Sequence, residues 1–112
     1  MTKGKVCLIP FPFDDLSATK VRPVVCLTDP IGSYRHIVIA FITSQVSSDL
    51  LETDLVLDIR HADFPATGLR FASVLRLHRI VTVTTSLIQR ELGVLSPAIQ
   101  TEVGNNLRKL FG

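Results

Sequence analysis

The chain has 112 residues, of which 46% are hydrophobic and 20% are charged, and its formal net charge is +2. This length and composition are ordinary for a globular domain with one apolar core, and we expect residues 1–112 to form that single domain. A charge of +2 is too small to indicate nucleic-acid binding by itself, so such binding would require clustering of the basic residues.

The apolar runs and the two cysteines predict where the protein works. Prolines interrupt the N-terminal apolar run after Ile9, which argues against a signal-peptide core. The longest apolar run, residues 37–42, is far too short to span a membrane. Cys7 and Cys26 lack the spacing of metal ligands, and buried thiols in a reducing cytosol fit them better than a disulfide. We therefore expect a soluble, cytoplasmic protein with no membrane partner.

Short β-strands are predicted along most of the chain. Apolar segments of strand length lie at residues 5–9, 24–28, 35–44, 54–60 and 69–83, the last of them broken near Arg79. Residues 35–44 are apolar on both faces, which is typical of a central strand covered from two sides. Five short strands with irregular connections predict a small barrel or half-barrel.

The end of the chain changes to a helical period. Thr85 or Ser86 can cap a short helix that runs to residue 91 and is ended by Gly93. A second helix is predicted from the pair Ser96-Pro97, with serine as the cap and proline at the first helical position. Its apolar stripe consists of Ile99, Val103, Leu107 and Leu110. We expect this amphipathic helix to pack on the sheet.

Arg22 lies between a polar segment, residues 14–20, and the second predicted strand. Because Pro23 follows, we expect Arg22 to be extended, with its guanidinium at the mouth of a strand beside a loop. One interpretation is a solvated surface arginine, as most arginines are. The other is an arginine that binds an anion or stabilises a charged transition state.

Two further segments carry polar groups that suit a phosphate. Thr43 and Ser44 end the central strand, where their hydroxyls either terminate a turn or donate to an anion. In an extended segment Arg76 and His78 share the face opposite Leu75 and Leu77. That pair is either a solvated sheet face or a cation beside an imidazole, a side chain suited to proton transfer near neutral pH.

Metal and nucleotide motifs give no support for a cofactor. The histidines, His36, His61 and His78, are scattered, and no His or Cys pair has ligand spacing. The sequence also lacks a phosphate-binding glycine loop and a nucleophile elbow. We expect neither a metal nor another cofactor.

These segments together carry a family resemblance that spans nearly the whole chain. In order they are Gly4, the segment PFPFDDL, the segment KVRPVVCL, a strand ending in Ile42-Thr43-Ser44, then Ser73-Val-Leu, a G-x-L-S at residues 93–96, and a terminal amphipathic helix. The sequence resembles the MazF/PemK toxins of type II toxin–antitoxin systems. The resemblance implies a small SH3-like β-barrel with appended helices that works as a homodimer. It also implies a sequence-specific, metal-independent endoribonuclease inhibited by a cognate antitoxin.

The family's functional positions carry over to four candidate catalytic residues. Arg22 and Thr43 match the R-P and T-S motifs, and Arg76 and His78 occupy the positions of an arginine and an acidic residue that act in cleavage in the PemK branch. The sequence departs from the family pattern at three positions, where Lys5 and His78 replace acidic residues and Arg79 replaces a glutamine. Candidate RNA-binding residues are Phe13, Asp15, Lys20, Ser44, Ser73 and Arg79, with Tyr34 as a further stacking candidate.

The implied reaction needs no metal, because RNA supplies its own 2′-hydroxyl nucleophile. In this hypothesis His78 is the base, Arg22 and Arg76 neutralise the phosphorane, and Thr43 binds a non-bridging oxygen. Residues 14–20 would close over single-stranded RNA. Two alternatives share the same fold: a non-enzymatic gyrase poison like CcdB, and a catalytically silent relative kept for partner binding.

Overall fold

A six-stranded antiparallel sheet and one α-helix make up the structure, a computed structural model that describes residues 2–11, 20–46 and 48–112. In chain order the elements are β1 Lys5–Phe11, β2 Lys20–Cys26, β3 His36–Thr43, β4 Asp54–Leu57, β5 Ser73–Thr84, β6 Arg90–Val94 and α1 Pro97–Phe111. Single 3-10 turns lie at Pro65–Thr67 and Thr85–Leu87. The spatial order β4-β5-β3-β2-β1-β6 curls into a half-barrel, which confirms the predicted mainly-β fold with a C-terminal helix.

Both faces of the sheet are covered, because successive residues of each strand point to opposite sides and the central strands are apolar on both. The helix-side core consists of Val6, Val25, Ala40, Ile42, Leu55, Leu57, Phe64, Leu75, Leu77, Leu95, Ile99 and Val103. The far-side core consists of Cys7, Ile9, Phe11, Val24, Cys26, Ile37 and Ile39. β3 lies between β2 and β5 and contributes to both cores, as its sequence predicts.

The predicted break in the fifth strand is a β-bulge. Phe41 pairs with Arg76, whereas the preceding Ala40 pairs with Ile80, so three residues of β5 have no partner on β3. A bulge of this kind re-aims side chains without ending the strand. The strand itself begins later than predicted, at Ser73, whose Oγ donates a hydrogen bond to the carbonyl oxygen of Phe71 (2.8 Å).

The fourth strand is shorter than the predicted residues 54–60. β4 ends at Leu57 because the carboxylate of Asp58 accepts a hydrogen bond from the backbone N–H of Arg60 (2.9 Å), which turns the chain. The same carboxylate pairs with the Arg60 side chain (3.1 Å), and these hydrogen bonds lower the pKa of Asp58. Ile59, which the prediction included in the strand, lies beyond its end and is 57% exposed.

The prediction of a short helix at residues 85–91 is wrong. Only the 3-10 turn Thr85–Leu87 forms there, and the chain then enters β6, in which Glu91 pairs with Cys7 and Arg90 with Leu8 of β1. Without β6 the outer edge of β1 would expose a row of unpaired backbone groups. Pairing with a strand more than 80 residues away in the chain therefore outweighs the local helical preference.

The C-terminal helix begins where the sequence predicts. The Ser96 side chain accepts a hydrogen bond from the backbone N–H of Ile99 (3.3 Å), and Pro97 opens the helix. Ile99 and Val103 are buried in the helix-side core, and Leu107 packs against it. Within the described ranges, no helix reaches the length and hydropathy that a membrane crossing requires.

Cys7 and Cys26 are buried, free thiols on neighbouring strands, with their Sγ atoms 3.9 Å apart. The hydrogen bond to Cys7, together with burial, raises the pKa of the Cys26 thiol. Because the thiolate is the reactive form, this shift disfavours reaction at Cys26.

Gly93 and Gly104 form a matched pair for testing the packing of β6. A Cβ at Gly93 would overlap the carbonyl oxygen of Ala66 and lie 2.5 Å from the carbonyl carbon of Thr67, whereas a Cβ at Gly104 meets nothing closer than 3.8 Å. We expect Gly93→Ala to lower the free energy of unfolding by about 3 kcal/mol, because the clash is with backbone. Gly104→Ala should raise it by about 1 kcal/mol through helix propensity. Urea unfolding measures both, and equal effects would contradict this packing.

Candidate active site

Arg22 and Thr43 lie on the same face of two neighbouring strands. Val24 of β2 pairs with Phe41 of β3, and Arg22 and Thr43 each lie two residues from that pair, on the side where the strand alternation directs both side chains to the same face. Both residues line one open groove of about 510 Å³. The structure therefore brings together the two residues that the sequence motifs single out, and Arg22 is extended, as Pro23 predicts.

The groove is cationic. Its lining contains three arginines, Arg22, Arg70 and Arg79, and no aspartate or glutamate among the described residues. The predicted Ser44 and Ser73 also line it, as do Gln45 and Phe71, which sequence reasoning missed. In the sequence, Phe71 could have been noticed only as an aromatic residue in a connection between strands. In the structure its side chain is 68% exposed. A concave surface with one sign of charge and an exposed ring suits an anion that carries an aromatic group.

The hydroxyls of the groove differ in what they can donate. Thr43 Oγ1 accepts a hydrogen bond from the backbone N–H of Gln45 (3.2 Å), which leaves its own proton able to reach an anionic oxygen. Ser44 is exposed at the strand end. Ser73 is 3% exposed, and its hydroxyl donates to the carbonyl oxygen of Phe71. Its proton therefore holds the connection at Phe71 in place and is not offered to a ligand.

Arg79 reaches the groove because of the bulge in β5. Its guanidinium carbon lies 5.2 Å from the centroid of the Phe41 ring, in cation–π geometry. Phe41 in turn packs edge-on against Phe11, with ring centroids 4.4 Å apart. The aromatic pair therefore provides a fixed surface over which Arg79 extends.

Arg76 and His78 share one face, as predicted, but they do not line the groove itself. Arg76 pairs with Phe41, one row away from Thr43. Its Nε lies 3.3 Å from Oδ1 of Asp54, and His78 Nδ1 lies 3.9 Å from the same oxygen. Asp54, which contacts both side chains, is a residue that the sequence did not single out, since there it is only the first residue of a strand.

The other predicted residues lie apart from this groove. Lys20 is exposed at the start of β2, on the face of Arg22 but outside the lining. Tyr34 is 79% exposed beside His36, which begins β3, whereas Thr43 ends it. Phe13 and Asp15, with most of the segment 14–20, lie outside the described residues. In the described ranges, no cluster of three or more His, Cys, Asp or Glu side chains could hold a metal ion.

Known proteins resemble this chain both in sequence pattern and in fold. A family model described as PemK-like, MazF-like toxin of type II toxin–antitoxin system matches residues 2–111. No curated protein sequence matches. Among solved structures, a Mycobacterium tuberculosis toxin, MazF-mt6, is 21% identical with a TM-score of 0.70 over 96% of this chain and 95% of its own. An endoribonuclease in complex with its cognate antitoxin, from a mycobacterial species, is 16% identical with a TM-score of 0.69 over 100% and 95%.

Proposed function

We propose that this chain, which belongs to the PemK-like, MazF-like toxins of type II toxin–antitoxin systems, is an endoribonuclease that cleaves single-stranded RNA without a metal ion. The observation that carries the proposal is the shared groove of Arg22, Thr43 and Arg79, which contains no acidic residue among its described lining. Arg76 lies in the neighbouring row of the same sheet, and His78 lies in the bulge that follows it. Together they supply the cations, the hydroxyl donor and the proton acceptor that the reaction requires.

The reaction uses the 2′-hydroxyl of RNA as the nucleophile. His78 accepts its proton while the 2′-oxygen attacks the adjacent phosphorus. Arg22 and Arg76 neutralise the charge that develops on the phosphorane, and Thr43 donates to a non-bridging oxygen. The P–O5′ bond then breaks, which gives a 2′,3′-cyclic phosphate and a 5′-hydroxyl.

Single-stranded RNA fits this groove better than a duplex. Unpaired bases can be splayed onto aromatic side chains, and Phe71 presents an exposed ring in the groove lining that it shares with Arg70 and Arg79. Sequence specificity would then come from base edges read near Phe71, Gln45 and Ser44, since phosphate contacts carry no sequence information.

The protein is proposed to act as a homodimer in the cytoplasm and to be neutralised by a cognate antitoxin. A structurally similar endoribonuclease is bound to its antitoxin. The groove arginines suit an acidic segment, and exposed apolar side chains such as Leu50, Leu51 and Phe71 suit its apolar anchors. A partly disordered acidic antitoxin that folds on binding would use both.

Cleavage of a long single-stranded RNA in EDTA tests the proposed activity. We expect cleavage that continues without metal and yields 2′,3′-cyclic phosphate ends. Arg22→Ala should reduce the rate by about 10²–10³-fold, because it removes a cation that stabilises the transition state. Arg108→Ala is the matched control, since it removes the same charge from an exposed position of α1, which packs on the helix-side core.

Two outcomes of that assay would contradict the nuclease. Equal losses in Arg22→Ala and Arg108→Ala would mean that net charge matters and the groove does not. No RNA cleavage together with inhibition of gyrase would identify a poison of the same fold, and neither activity would leave a silent binding module.

Removal of the imidazole tests the assignment of the base. We expect His78→Ala to lower the single-turnover rate by about 10²–10⁴-fold with little change in RNA binding, because the residue acts in proton transfer. His36→Ala, on the same sheet but at the far end of β3, is the control for loss of a histidine. Near-normal cleavage by His78→Ala would remove this residue from the mechanism.

Native mass spectrometry tests the proposed partners. Expressed alone, the 12.3 kDa chain should appear at twice its mass. Expressed with its neighbouring reading frame, it should appear in a complex with the product of that frame. A monomer in the first experiment, or free toxin in the second, would contradict the corresponding partner.

A further inference from the structure

Asp54 is an ionisable residue whose side chain is completely buried. It begins β4, and its exposed fraction is 0%. Its Oδ2 accepts a hydrogen bond from the backbone N–H of Leu51 (2.8 Å), and its own N–H donates to the carbonyl oxygen of Leu51 (3.0 Å). Because burial of a carboxylate costs free energy unless it is paired, its other oxygen needs cationic or hydrogen-bonding partners.

The other oxygen, Oδ1, faces Arg76 and His78 together. Arg76 Nε lies 3.3 Å away and His78 Nδ1 lies 3.9 Å away. These residues flank the buried Leu77 on β5, so the strand directs both side chains to the side of Asp54. One buried carboxylate oxygen therefore contacts both side chains that the proposed reaction draws from β5.

We propose that Asp54 is the positioning residue for His78 and Arg76. Its Oδ1 accepts a hydrogen bond from the Nδ1–H of His78, which fixes the neutral imidazole in the tautomer whose Nε2 is unprotonated. The tautomer of a histidine is set by the hydrogen bond of its other nitrogen, so this contact decides which nitrogen can act as base. The inference rests on the proposed function, in which Nε2 receives the 2′-hydroxyl proton.

A small rotation of the His78 side chain would bring its Nδ1 within hydrogen-bond distance of Asp54 Oδ1. The His78 side chain is 34% exposed, so it has room to rotate, whereas Asp54 is held by Leu51 and Arg76. Hydrogen bonds between a base and its orienting group are often long without substrate and shorten in the complex. Arg76 is held through Nε, so this ion pair does not use the two terminal nitrogens of its guanidinium.

The same carboxylate faces the positive charge that the proton transfer creates, while water and solvent complete the proton balance. As the bond from the 2′-oxygen to phosphorus forms, its proton passes to Nε2 and His78 becomes an imidazolium with both nitrogens protonated. Asp54 stays ionised and faces this new positive charge. The P–O5′ bond breaks, the leaving oxygen takes a proton from water, and the imidazolium later releases its proton to solvent.

A purely structural role for Asp54 makes different predictions. In that case the carboxylate closes the turn at Leu51 and neutralises Arg76, and the tautomer of His78 does not depend on it. Asp54→Asn separates the two roles, because the amide keeps the shape and an oxygen acceptor for Leu51 while it removes the charge. Asp58→Asn is the matched control, since it removes a carboxylate of the same segment that pairs with Arg60.

Nitrogen NMR of ¹⁵N-histidine-labelled protein near pH 8 gives the first readout. In the wild type we expect His78 to carry its proton on Nδ1, and Asp54→Asn to shift it toward the Nε2–H form. His61 is an internal reference of the opposite tautomer, because its Nδ1 accepts the backbone N–H of Asp63 (3.0 Å). His78→Gln assigns the signals. A wild-type His78 in the Nε2–H form would overturn the proposal without any variant.

Single-turnover cleavage gives the second readout. Asp54→Asn should lower the rate by at least about 10-fold, and by no more than the loss in His78→Ala. In a His78→Gln background the same change should cost at least about 3-fold less than in the wild type, because only the loss through Arg76 remains there. An equal loss in both backgrounds would overturn the proposal.

The two readouts also separate this inference from the proposed function. A tautomer that depends on Asp54 in a protein that cleaves no RNA would support the positioning contact and defeat the nuclease. Cleavage that depends on His78, with a tautomer unchanged in Asp54→Asn, would support the nuclease and defeat the role of Asp54.

Discussion

Three residues of β5 have no partner on β3, and the arrangement of the candidate site depends on this bulge. Before the bulge, Arg76 is placed by its pairing with Phe41; within it, His78 approaches Asp54 and Arg79 extends over the Phe41 ring. With regular alternation Arg79 would point to the face opposite Arg76 and His78, so the bulge is what allows Arg79 to reach the groove.

Local charge matters more here than net charge. The chain as a whole carries only +2, yet three arginines line one groove without an acidic neighbour among its described lining. Nearby, the carboxylate of Asp54 is withdrawn from solvent and paired with Arg76. The described lining of the groove thus contains arginines and no carboxylate, while the buried carboxylate of Asp54 faces the β5 side chains.

The extent to which the sequence predicted the structure depended on the range of the interactions involved. The central β3 and the helix begun by Ser96 and Pro97 were predictable, because their signals lie within a few residues. β6 was not, since it forms by pairing with β1. The role of Asp54 depends on a register that joins residues 22 positions apart, which no periodicity shows.

The candidate site was predictable in part, and mainly from motifs. The family resemblance singled out Arg22 and Thr43, and the groove that they share supports that choice. Strand alternation alone placed Arg76 and His78 on one face, which the contacts to Asp54 confirm. Arg70 and Phe71 were missed because they lie in an irregular connection, where neither period nor motif applies.

A crystal structure with a non-cleavable RNA, 2′-O-methylated at the scissile nucleotide, tests the central claim most directly. We predict that the scissile phosphate lies between Arg22 and Thr43, with His78 Nε2 facing the 2′-position and His78 Nδ1 hydrogen-bonded to Asp54. RNA bound elsewhere on the protein, or a scissile phosphate that contacts neither Arg22 nor Thr43, would contradict the account.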